Sequence, residues 1–155
     1  MRKEMILSVI VNKPGISFNE IVRETDLSNG VISHYILQLL KNKEIVKSEV
    51  GRAKYFQHNI PKKDIECIII CRNNTNFDII KLFLRTKNPI TVKEISKDVG
   101  KSNSTVSVNL KKIQKAKLVG RKILNRNSKL TSDIGYFLLN EEYIMKIISK
   151  YDLDA

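Results

Sequence analysis

Glycine and proline are scarce in this chain of 155 residues, six and three respectively. With 42% apolar and 28% charged residues, that scarcity excludes a fibrous or disordered chain and leaves an ordinary globular balance. No apolar run approaches the roughly 20 residues that a bilayer-spanning helix needs, so no membrane partner is expected. Cysteine is nearly absent too. Cys67 and Cys71 are too few for a disulfide scaffold, and their spacing places them on one face of a helix. There is no CxxC, no nucleophile elbow, no phosphate-binding glycine loop and no HExxH. Catalysis, a cofactor and a metal site are therefore not expected. The opening MRKEMILSVIVNKPG has basic residues ahead of an apolar run, but Glu4 interrupts it and no small-residue cleavage site follows. It does not read as a signal peptide, and a cytoplasmic protein is the expectation.

Acidic residues are the other shortage: 16 Asp and Glu stand against 28 Lys and Arg, a net charge of +12. Excess positive charge speaks to partners rather than to fold, and nucleic acid is the leading polyanion. The excess is uneven. Residues 1–74 hold 12 basic and 8 acidic residues, whereas residues 75–155 hold 16 and 8. The window 111–129, KKIQKAKLVGRKILNRNSK, has eight basic residues and no acid. A general lysine bias would not clear acids from one window.

What is present is a repeat. Residues from 13 onward align without a gap with residues from 87 onward, at a constant offset of 74. Ile16 meets Ile90, Ser17 meets Thr91, Glu20 meets Glu94, and Ile21 meets Ile95. Further on, Ser28 meets Ser102, Asn29 meets Asn103, and Ser33 meets Ser107. Two copies of this length mean two similar small domains, not a solenoid.

Each copy predicts three helices. The first carries an apolar stripe, Ile6, Val9 and Ile10 in one copy and Ile79, Ile80, Phe83 and Leu84 in the other, and stops at Pro14-Gly15 or Asn88-Pro89. The second begins at Ser17 or Thr91, with Glu20 or Glu94 three residues on, the pattern of a capping box. A tight turn leads to Ser28 or Ser102, which cap a longer third helix. Its buried stripe is Ile32, Ile36 and Leu39, or Val106, Leu110 and Ile113. Each copy then turns extended. EIVKSEV, Gly51-Arg52 and AKYFQHN read as a hairpin, as do LVGRKIL, NRNSK and LTSDIGYFLL with a longer tip.

Three helices followed by a two-stranded hairpin make a winged helix. The expected fold is mostly α with small β wings (α+β): two tandem winged helix-turn-helix domains, 1–60 and 75–155, joined by a short helical linker at 61–74. Both halves resemble the winged helix-turn-helix of the ArsR and MarR classes of transcriptional regulators. In particular they resemble archaeal regulators that carry two such modules in tandem. The run GISFNEIVRETDLSNGVISHYILQLLKNKEIV follows that family from second helix to wing. One departure is Asp26, where the second copy has Gly100 and the family often has glycine. Aspartate also tolerates turn geometry.

In a helix-turn-helix the N-terminal residues of the second paired helix reach base edges in the major groove. Candidate DNA-binding residues in the first copy are Ser28, Asn29, Gly30, Ser33, His34 and Gln38. In the second they are Lys101, Ser102, Asn103, Ser104, Thr105, Ser107, Asn109 and Lys111, all expected off the buried stripe. Asn and Gln can pair bidentately with adenine, and Ser and Thr can contact phosphate or base. Arg52 and Lys54 at the first wing, and Arg121, Lys122, Arg126 and Lys129 at the second, are the candidate phosphate contacts. Asn125 and Asn127 lie between the latter. Part of the first copy's third helix, with Tyr35, Ile36, Leu37, Leu39 and Leu40, could face a partner instead.

DIECIIICR is apolar nearly all round, so packing explains Cys67 and Cys71 better than a thiol redox or metal sensor with His58 as third ligand. The tail EEYIMKIISKYDL has Ile144, Ile147, Ile148 and Tyr151 at helical spacing, with Asn140 as cap. That stripe either packs on its own domain or builds a homodimer, through terminal helix 141–151 or linker helix 64–72. The reading is a sequence-specific double-stranded DNA-binding transcriptional regulator. The alternatives are a tandem winged-helix protein-interaction scaffold and a structured-RNA-binding protein.

Overall fold

The computed structural model describes residues 1–49, 51–124 and 134–154. The chain divides into two compact units, Met1–Ile69 and Ile70–Ala155. The helix α4 (Lys62–Arg72) follows Pro61 and runs across the boundary in sequence.

In the first unit, α1 (Arg2–Asn12) is followed by α2 (Phe18–Thr25), α3 (Asn29–Lys41) and a hairpin of β1 (Ile45–Ser48) and β2 (Lys54–Gln57). The strands pair antiparallel, Ile45 opposite Gln57 and Ser48 opposite Lys54. The start of α2 is set by a complete capping box. The Ser17 hydroxyl accepts from the Glu20 N–H at 3.2 Å, and the Glu20 carboxylate accepts from the Ser17 N–H at 3.3 Å. Two donors that the first helical turn would otherwise orphan are thereby satisfied. Burial pushes the Glu20 carboxyl upward, but hydrogen bonds from Lys13 and Ser17 outweigh it and hold the group below its ordinary value. The Lys13 ammonium lies 2.6 Å from the carboxylate.

The core of this unit is Ile6 and Ile10 from α1, Ile16, Ile21 from α2, Ile32, Ile36 and Leu39 from α3, and Ile45 and Tyr55 from the hairpin. Burial of each such side chain contributes roughly 1.5–3 kcal/mol.

The second unit repeats the plan with α5 (Asn74–Arg85), α6 (Val92–Val99), α7 (Asn103–Lys115), β3 (Val119–Ile123) and β4 (Ile134–Leu138), and adds α8 (Glu141–Lys150). Strand β3 pairs antiparallel with β4, Val119 opposite Leu138 and Ile123 opposite Ile134. Ile80, Ile90, Ile95, Val106, Leu110, Ile113 and Val119 are buried, each 74 positions beyond a core residue of the first unit. In α5, Leu82 is buried and Leu84 only half-buried, which corrects the expected stripe by one residue. At α6 the Thr91 hydroxyl accepts from the Glu94 N–H at 3.2 Å. The Arg85 guanidinium meets the Asp98 carboxylate at 2.9 Å, joining the end of α5 to α6.

Helix α8 is capped by Asn140, whose side-chain oxygen accepts from the Tyr143 N–H at 3.1 Å. Its stripe of Ile144, Ile147 and Ile148 is buried within the single chain. In α4, Cys67, Ile68, Ile70 and Cys71 are buried as well, and the two thiols stand outside any disulfide.

Candidate nucleic-acid interface

The turn from α2 to α3 passes through Asp26 at φ 58°, and that from α6 to α7 through Gly100 at φ 69°. Both are left-handed helix caps, each donating its N–H one turn back, to Val22 and Ser96. Glycine meets this geometry without strain, and aspartate is among the few residues that tolerate it. The second turn is braced further. The Ser96 hydroxyl donates to the Lys101 carbonyl, and the Lys101 N–H donates to the Ser96 carbonyl at 3.2 Å.

Each turn delivers an exposed serine cap. Ser28 accepts from the Val31 N–H at 3.4 Å and Ser102 from the Thr105 N–H at 3.2 Å. The Ser102 hydroxyl also lies 2.9 Å from the Thr105 hydroxyl. Neither α3 nor α7 has an acidic residue in its first turn, whereas α2, α6 and α8 each do. The partly positive end of each helix dipole is therefore not locally neutralised.

On α3, Ser28, Asn29, Gly30, Ser33, His34 and Gln38 are all exposed. The His34 ring nitrogen Nε2 lies 3.2 Å from the Gln38 amide nitrogen, and the ring stands edge-on to Tyr35. On α7, Lys101, Ser102, Asn103, Ser104, Thr105 and Lys111 are exposed and Ser107 is half-buried. Asn109 is a correction. It belongs to the buried side of α7, at 8% exposure, and its amide donates to the Thr105 carbonyl at 2.9 Å. Three residues beyond Val106 and four before Ile113, it falls beside the apolar stripe, and its polar end is satisfied by the helix itself.

At the wings, Arg52, Arg121 and Lys122 are exposed and Lys54 is half-buried. Arg126 and Lys129, with Asn125 and Asn127, lie outside the described residues. Two further cations of α7, Lys112 and Lys115, are exposed with Lys111, and the acid-free window of the sequence contains all three. The two third helices thus differ. The outward face of α7 carries Lys111, Lys112 and Lys115, while the equivalent positions of α3 are Leu37, Gln38 and Lys41.

Residues 1–66 match a family model described as an N-terminal HTH domain, and residues 74–120 match that of the bacterial regulatory protein, arsR family. The chain carries two helix-turn-helix domains in tandem, the second of the arsR family, consistent with a regulator of ArsR-like type. No curated protein matches this regulator. Each HTH match takes in the second helix, the turn and the third helix of its unit, so the regulator is DNA-binding in general character. Among its described residues no group of three or more His, Cys, Asp or Glu side chains could hold a metal ion. No described helix is long and apolar enough to cross a membrane.

Proposed function

We propose that the chain is a sequence-specific regulator that binds double-stranded DNA through two winged helices. The modules are residues 1–60 and 75–155, joined by the linker helix at 61–74. The N-terminal ends of α3 and α7 lie in the major groove, where Asn29, Ser33, His34 and Gln38, or Asn103, Ser104, Thr105 and Ser107, meet base edges. Arg52 and Lys54 at one wing, and Arg121, Lys122, Arg126 and Lys129 at the other, contact phosphates. Asn109 does not belong to this set, because its amide is buried and already bonded.

The observation that carries the reading is the outward surface of α7. A short polar cap with no acid in the first turn is followed by exposed Lys111, Lys112 and Lys115. A solvated helix face would mix both signs of charge. A scaffold that met only protein would not need this field either. Duplex DNA supplies the counter-charge, and its major groove admits a helix, whereas that of A-form RNA is too narrow for side chains to read. The apolar stripes of α4 and α8 are buried within the chain, so a homodimer through these helices would use their exposed sides, such as Met145.

Binding of the full chain to random duplex DNA and to matched duplex RNA, across a salt series, tests the reading. The expected result is a preference for DNA with affinity falling steeply as salt rises. Equal binding to both, or none to either, overturns it.

A further inference from the structure

Val108 is 54% exposed in the middle of the outward face of α7. Ser104 precedes it by one turn and Lys111 and Lys112 follow by one, and all three are exposed. Ser107 beside it is short. The buried side of the helix is made by Val106, Leu110 and Ile113, so Val108 recovers little burial within the chain. A β-branched residue is also a mediocre helix former. A surface built of serine, asparagine and lysine thus holds one branched apolar group at its centre, where a lysine or glutamine would be better solvated and more helical.

The major-groove edge of a duplex has one apolar group, the C5-methyl of thymine. Resting on the function proposed above, we infer that Val108 is a specificity-determining residue. It packs on a thymine methyl in the half-site read by the second domain. Ser104 and Ser107 are small enough to let the helix approach, and Lys111 and Lys112 hold the backbone on either side. The first domain has His34 at the equivalent position, engaged with Gln38, and Leu37 and Gln38 in place of the two lysines. Its reading is by hydrogen bond at the place where the second domain reads by apolar contact. The two half-sites are therefore unlike in sequence.

The test uses the full chain. Duplex sites are selected from a random pool, and each thymine of the selected site is replaced in turn by deoxyuridine, which removes only the methyl. One replacement is expected to weaken the parent by about fourfold, the worth of one buried methyl-sized group. Val108→Ala should weaken binding to the thymine site by a similar factor and make it indifferent to that replacement. Val108→Thr, which keeps one methyl, should retain part of the response. The position is exposed, so the variants should melt like the parent. If parent and Val108→Ala respond alike to every replacement, the methyl contact is overturned while specific DNA binding stands. If no sequence is selected at all, the functional reading falls and this inference with it.

Discussion

Ile90 and Tyr136 exchange both backbone hydrogen bonds, 3.0 Å from the Ile90 N–H to the Tyr136 carbonyl and 2.8 Å in the reverse sense. The pair ties the turn before α6 to the returning strand of the wing. In the first unit the same tie is built differently. The Tyr55 N–H donates to the Ile16 carbonyl at 2.9 Å, but the Tyr55 carbonyl accepts from Gly15, also at 2.9 Å. The residue equivalent to Gly15 is Pro89, which has no N–H to give, so the bond moves to Ile90. The returning strand of each wing is thus tied through its tyrosine to the turn before the second helix of its unit.

That anchor leaves little room. A Cβ on Gly135, next to Tyr136, would sit 2.7 Å from the Pro89 ring and 2.8 Å from the Leu124 side chain. A ring atom cannot swing aside. Gly135→Ala should destabilise the chain by about 1–3 kcal/mol, read as a lower denaturant midpoint with unchanged slope.

Lys43 and Lys117 occupy equivalent places after the third helices, at φ 59° and 61°. Each closes a Schellman turn: Glu44 N–H donates to Leu39 and Leu118 N–H to Ile113, at 3.0 and 3.2 Å. Glycine is the usual occupant because a Cβ is strained there. Lys43→Gly and Lys117→Gly should each raise stability by about 0.5–1 kcal/mol, measured by thermal melting, whereas Gly100→Ala should lower it by a similar amount.

The carboxyl of Glu20 is held below its ordinary value of 4.5 by Lys13 and Ser17, against the pull of burial. The unfolded chain therefore binds this proton more readily than the folded one. Stability from the capping box is full above the ordinary value and is lost as pH falls through the lowered folded one. Glu20→Gln should shrink the acid-side loss between pH 5 and the folded pKa, seen in denaturant midpoints across a pH series.

The lysines of α7 should act on affinity more than on sequence choice. Lys111→Ala with Lys112→Ala should flatten the dependence of DNA affinity on salt by up to about 0.9 for each phosphate no longer neutralised, and weaken all sequences nearly alike. An unchanged slope would take these side chains off the phosphates.

The amino-acid order by itself determined whatever is local or periodic. The offset of 74, the caps at Ser17, Ser28, Thr91, Ser102 and Asn140, and the stripes from Ile32 to Leu39 and from Val106 to Ile113 are all found where the sequence placed them. A cap needs only its own helix turn, and a stripe needs only the helical period. Tertiary structure decided the rest. Leu82 rather than Leu84 went into the core, and single backbone pairs fastened each wing to its turn. Those outcomes depend on which neighbour packs on each face, and on pairings between residues some 40 positions apart that leave no period in the chain.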